Sequence, residues 1–98
     1  MSDFRVSDQA STQLDDIYDF TELRFGHFQA EAYWAGLHRT FALLADFQRM
    51  GRAADEFAPG LRRFRYQSHH LVYSLDAGQI LIRAVFHFRQ DIRPDLIE

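Results

Sequence analysis

The sequence predicts an α+β fold in which an N-terminal helical hairpin covers one face of a small, mainly antiparallel β-sheet, in the order β-α-α-β-β-β. Three observations carry this. Apolar residues recur at threes and fours from Ala10 to Leu44, the period changes to two from Leu61 onward, and Gly26, Gly60 and Gly78 stand at the breaks between runs. At 98 residues, with 47% hydrophobic and 15% aromatic content, the chain can build one compact core but not two ordinary domains, so residues 1–98 are read as one domain.

Phe4 and Val6 alternate with Asp3, Arg5 and Ser7, a short strand signal. Ser7 followed by Asp8 then reads as a helix N-cap with an acid in the first turn, where it meets the positive end of the helix dipole. The spacing predicts a helix from Asp8 to Arg24. Ala10, Leu14, Ile17, Tyr18, Thr21 and Phe25 form its apolar stripe, while Asp15, Asp16, Asp19 and Glu22 face water. Gly26 closes it, and a second helix from His27 to Phe47 carries Ala30, Tyr33, Leu37, Phe41 and Leu44 on one stripe. So short a link predicts an antiparallel hairpin.

Gln48 to Gly60 mixes turn formers with charges and reads as a connecting loop. From Leu61, Phe64 and Tyr66 alternate with Arg63 and Arg65, and after Gln67-Ser68 a second strand runs through His70–Leu75. Asp76-Ala77-Gly78 turns the chain into the most apolar run, Gln79 to Phe88. There Ile80, Ile82, Ala84, Phe86 and Phe88 are expected on one face and Leu81, Arg83, Val85 and His87 on the other. Arg93-Pro94 is expected to end the regular structure, leaving a short tail. The expected core is Tyr18, Tyr33, Leu37, Phe41, Leu44, Ile80, Ile82 and Phe86, and the sheet face away from the helices carries much of the arginine.

Charge is unevenly distributed. Residues 1–48 hold three Arg against eight acids, a balance of −5, and residues 49–98 hold eight Arg against six acids, a balance of +2. All eleven basic residues are Arg, so every cation is a planar fork suited to carboxylate or phosphate and none is a tunable amine. The absence of cysteine removes disulfides and thiolate metal sites and fits a reducing cytoplasm. The N-terminus lacks a signal-peptide run, and the apolar stretches fall far short of the roughly 20 residues a membrane span needs, so a soluble cytoplasmic protein is expected.

The main candidate site is the set Arg62, Arg63, Arg65, Arg83, His87, Arg89 and Arg93. Converging guanidinium groups could hold an acidic partner segment or a phosphate backbone, and the same spacing also describes an ordinary solvated strand face. His69-His70 and His87 do not make a metal site by spacing, because adjacent strand residues point to opposite faces. No nucleophile motif, phosphate loop or cofactor pattern is present, and Tyr33, Trp34 and Phe41 read as hairpin packing. A chain that is acidic overall is not expected to bind DNA directly.

One ordered set of residues resembles a known family. Leu14-Asp15-Asp16-Ile17 is followed by Phe25-Gly26, Gln29-Ala30 and Tyr33, then Leu37, Phe41 and Leu44-Ala45, and then Met50-Gly51-Arg52 and Glu56. After these come Pro59-Gly60-Leu61-Arg62 with Phe64, Ser68-His69, Tyr73, and finally Val85, His87, Arg89 and Asp91. The set spans nearly the whole chain and resembles the ParE toxins of the RelE/ParE superfamily. The resemblance implies a cytoplasmic type II toxin, held in a hetero-oligomer by a ParD-like antitoxin whose C-terminal segment wraps it, with DNA gyrase as target and no cofactor. The RelE cousins share the fold but cut messenger RNA on the ribosome. In that alternative His87, Arg62, Arg83 and Arg89 would be the catalytic set. The absence of Lys and the presence of Phe88 beside His87, where a Tyr can stand in the ribonucleases, favour the gyrase-directed branch. Gln90, where a Met is common in that branch, and Asp46-Phe47 are departures from its pattern.

Overall fold

The structure, a computed structural model, describes residues 3–97. Strand β1 (Phe4–Val6) leads into helix α1 (Asp8–Phe25) and helix α2 (His27–Asp46). Strands β2 (Arg52–Ala53), β3 (Leu61–Tyr66), β4 (His69–Asp76) and β5 (Gln79–His87) follow, and a 3₁₀ turn (Pro94–Leu96) lies near the end. The sheet order is β1-β5-β4-β3-β2; β1 runs parallel to β5 and every other pair is antiparallel. The expected helices and strands are therefore present to within a residue or so at each end. The region read as a plain loop contributes β2, and the tail contributes the 3₁₀ turn.

Ser7 caps α1 as its sequence suggests, its Oγ accepting the Ala10 N–H at 3.1 Å. The same Oγ donates to the Arg83 carbonyl at 2.9 Å, and the Ser7 N–H donates to the Ile82 carbonyl at 2.9 Å. Gly26, at φ 93 and ψ 168, joins the helices in a backbone region open in practice only to glycine. No helix among the described residues is long and apolar enough to cross a membrane.

The largest departure from expectation lies in β5. Leu75 pairs with Ile80, Ser74 with Leu81 and Tyr73 with Ile82, but Val72 pairs with Ala84, so Arg83 is an extra, bulged residue. Because strand side chains alternate with period two, one extra residue moves everything after it to the opposite face. Ile80 and Ile82 face the helices with Leu37, Phe41, Leu44, Leu71 and Tyr73, and beyond the bulge Val85 joins them. Ala84 and Phe86 are moved to the far face. There they form a second cluster with Ala54, Leu61 and Val72, covered by Phe57, Ile92 and Ile97. The expected single face Ile80–Phe88 is thus corrected to two. β1 ends opposite Ile82, where the chain turns into α1, and beyond it the Gln13 side chain accepts the Val85 N–H at 2.7 Å.

One core assignment, Tyr18, and one residue of the expected apolar stripe, Phe25, are corrected. Tyr18 lies outside both clusters, edge-on to Trp34, with its hydroxyl donating to Glu31 at 3.0 Å. Phe25 is solvent-exposed at the hairpin tip, because the turn at Gly26 carries the end of the apolar stripe past the edge of the sheet. Tyr33 is half-buried at the margin of the first cluster.

Candidate partner-binding site

The seven candidate residues do not form one cluster; the register divides them. Arg63 and Arg65, with side chains opposite Val72 and His70, lie on the face turned away from the helices. Arg52 is the register partner of Arg63 and joins them. Arg63 is only 17% exposed and lies 3.9 Å from Glu56, with its guanidinium 5.2 Å from the Phe57 ring centre. Burial, with Arg52 nearby, pushes its pKa below the usual arginine value. Arg65 stacks on Phe88 at 4.5 Å and donates through Nε to the Gln67 carbonyl at 2.7 Å. His70 completes this cationic shelf, its Nδ1 lying 3.4 Å from the Arg63 guanidinium.

Arg62 points to the helical face and is occupied by the chain itself. Its guanidinium donates through Nε to the Gly51 carbonyl at 3.0 Å and through a terminal nitrogen to the Arg49 carbonyl at 3.2 Å. Arg83, at the bulge, donates to Ser74 Oγ at 2.7 Å. Arg93 pairs with Asp95 at 3.1 Å on the exposed terminal segment.

His87 belongs to a different place. The bulge puts it on the helical face beside His69, their ring centres 5.4 Å apart. His69 is buried and 2.7 Å from the Tyr33 hydroxyl, which in turn accepts the Ser68 N–H at 3.3 Å. The same hydroxyl has two acceptors in reach for its proton, His69 Nδ1 and the Tyr66 carbonyl at 3.4 Å. Burial, and then the neighbouring His87 and His70, lower the His69 pKa to about 4, so it is neutral near pH 7. His87 is exposed and accepts the Arg89 N–H at Nδ1, 3.2 Å away, which leaves Nε2 as its donor.

These groups floor a groove of about 880 Å³ between the hairpin and the end of the sheet. Phe20, Phe25 and Phe88 form its walls, with Arg24 and Arg89 also lining it. Outside it the hairpin tip remains apolar: Leu23 is 90% exposed and Phe28 88%. Phe88 connects the two regions, since Arg65 from the shelf and Arg89 from the groove both lie over its ring, at 4.5 and 5.3 Å.

Of the four residues a nuclease would use, only His87 and Arg89 share a site. Arg83 is four strand residues from His87, about 13 Å away. Arg62 is held by the loop on another strand. Among the described residues no group of three or more His, Asp or Glu side chains is placed to hold a metal ion. Sequence reading missed Arg52, His70 and the aromatic groove. The available signal was Phe20, Leu23 and Phe28, large apolar residues that fall off the buried stripes.

Residues 4–92 match the family model described as the ParE toxin of the type II toxin–antitoxin system, parDE. The chain is 36% identical over 96 residues to Toxin ParE1 of Mycobacterium tuberculosis, covering 97% of this chain and 98% of that one. It is 32% identical over 96 residues to Toxin ParE1 of Caulobacter vibrioides, covering 98% and 99%. The fold is similar, with a TM-score of 0.76 at 20% identity, to a solved chain of the chromosomal ParDE TA system from P. aeruginosa, covering 89% of this chain and 96% of that one. The expected resemblance is thereby met along the whole core of the molecule, and the chain belongs to the ParE toxin family of type II toxin–antitoxin systems.

Proposed function

We propose that this toxin is held in the cytoplasm by a ParD-like antitoxin whose amphipathic, acidic segment occupies the groove and the cationic shelf. When free, it acts by binding DNA gyrase and not by cutting a phosphodiester. The observation that carries the antitoxin half is the hairpin tip. Phe20, Leu23, Phe25 and Phe28 are 60%, 90%, 64% and 88% exposed beside a groove lined by Arg24 and Arg89, a surface that suits an apolar helix face bordered by acids. The binding-only mechanism is supported by the scatter of Arg62, Arg83, His87 and Arg89. General acid–base catalysis needs groups within hydrogen-bond reach of one reacting atom, and arginine is a poor proton carrier.

Supercoiling and cleavage-complex assays with purified gyrase, beside ribosome-dependent messenger RNA cleavage, test the proposal with and without antitoxin. The free toxin is expected to inhibit gyrase and leave the message intact, with antitoxin reversing the inhibition. Message cutting that His87→Ala abolishes, while gyrase remains fully active, would make the protein a nuclease.

A further inference from the structure

The shelf contains a titratable group surrounded by fixed positive charge. His70 on β4 is in register with Arg65 on β3, and its Nδ1 is 3.4 Å from the guanidinium of Arg63. Arg52 on β2 faces the same cluster. On its other side His70 is in register with Phe86 of β5, which is uncharged, and the carboxylate that approaches the cluster is Glu56, 3.9 Å from Arg63. Burial first, then Arg63, Arg65 and Arg52, hold the imidazole below its ordinary value, so that His70 is neutral near pH 7 in the free protein.

We propose that Arg52 and His70 complete a carboxylate-binding shelf with Arg63 and Arg65, and that an acidic polypeptide segment docks there with uptake of a proton by His70. This rests on the reading that the antitoxin segment is acidic and crosses this face. The guanidinium planes are backed by aromatic rings, Arg63 by Phe57 and Arg65 by Phe88, which holds their forks ready for bidentate carboxylates. In the free protein Nδ1 of His70 faces an Arg63 N–H. A docked carboxylate takes that N–H, so Nδ1 is released to bind a proton, and the negative charge now stabilises the imidazolium that three arginines opposed. Binding and protonation therefore assist each other, as linkage requires.

A polypeptide fits this face better than a phosphodiester backbone. Phe57, only partly buried, lies against Arg63, and a peptide side chain can pack on it where a phosphate cannot.

The probe is an octaglutamate peptide, whose carboxylates are ionised throughout the window of interest. Imidazole signals of the whole toxin are followed by NMR from pH 5.5 to 8.5, with and without the peptide, and peptide affinity is measured at pH 6.0 and 8.0. The expected result is an upward shift of the His70 titration on binding and affinity several-fold tighter at pH 6.0. A rise of one unit corresponds to about tenfold in linkage. His70→Gln is expected to bind with little pH dependence, and because the wild-type imidazole is observed directly, misfolding of that variant leaves the test intact. Peptide binding at Arg63 and Arg65 with an unmoved His70 titration overturns the proton uptake alone. No peptide binding at the shelf overturns the acidic-segment reading as well. Tighter binding of a 12-base-pair DNA duplex at the same residues would assign the face to nucleic acid and overturn the proposal.

Discussion

Gly36 sits in the middle of α2, where helix propensity favours alanine by about 1 kcal/mol. Packing opposes it: a Cβ there would lie 1.9 Å from the Tyr66 hydroxyl oxygen and 2.8 Å from the ring carbon that carries it. Tyr66 is itself packed on Tyr33, with ring centres 5.5 Å apart, so it has little room to withdraw. Gly36→Ala is expected to destabilise by about 1–3 kcal/mol in urea unfolding, the usual range for overpacking. A variant more stable than the wild type would mean that Tyr66 swings aside freely. His69 supplies a second residue-level test. Its folded pKa is about 4, below the ordinary 6.5, so the unfolded chain binds the proton more readily than the folded one. Its contribution to stability is complete above about pH 7, declines as pH falls through 6.5, and changes no further below about pH 4. His70, lowered in the same direction, adds to the trend. His69→Gln should flatten part of the decline between pH 7.5 and 5, read as urea midpoints, and an identical slope would remove His69 as its source.

Among the elements, β5 shows how one residue redirects a strand. The bulge at Arg83 gives the strand two inward faces, and the start of α1 secures it through Ser7 on the Arg83 carbonyl and Gln13 on the Val85 N–H. Phe41 on α2 and Phe86 on β5 therefore anchor separate clusters on opposite sides of the sheet. Truncating either to Ala should cost about 3–5 kcal/mol. Since the two share no cluster, the double variant should lose close to the sum of the two. Near-wild-type thermal stability of Phe86→Ala would contradict a second core on the far face. The hairpin turn offers a simpler test. Gly26→Ala has open space around a Cβ but a backbone region that L-residues avoid, and a loss of about 1–3 kcal/mol is expected from conformation alone.

At the scale of the molecule, acids lie on the solvent side of the hairpin and Arg52, Arg63 and Arg65 on the far face of the sheet, with an aromatic groove at one end. An antitoxin segment that follows the groove around Phe88 onto the shelf would meet apolar contacts first and charges second. Reversal at Arg63 or Arg65 to Glu is expected to weaken the toxin–antitoxin complex mainly through salt-sensitive association, with the loss shrinking as salt is raised. Unchanged affinity of both variants at low salt would remove the electrostatic part and leave the apolar groove as the determinant.

The sequence by itself determined the order of elements, both helices, the hairpin and the three long strands. Local signals carry these: a Ser cap, a Gly turn, a period of 3.6 along each helix and a period of 2 along each strand as far as the bulge. It also determined the family, through residues ordered along almost the whole chain. Only the tertiary structure decided which face each β5 residue takes. A bulge is set by pairing with β4 and by Ser7 and Gln13 reaching across from α1, contacts of more than 70 residues' separation that periodicity does not encode. The candidate site divided for the same reason. Arg62 and Arg63 are neighbours in sequence, yet a strand sends one to the loop carbonyls and the other to the open shelf. His87 met His69 and Tyr33 because the extra residue at Arg83 turned it toward the helices.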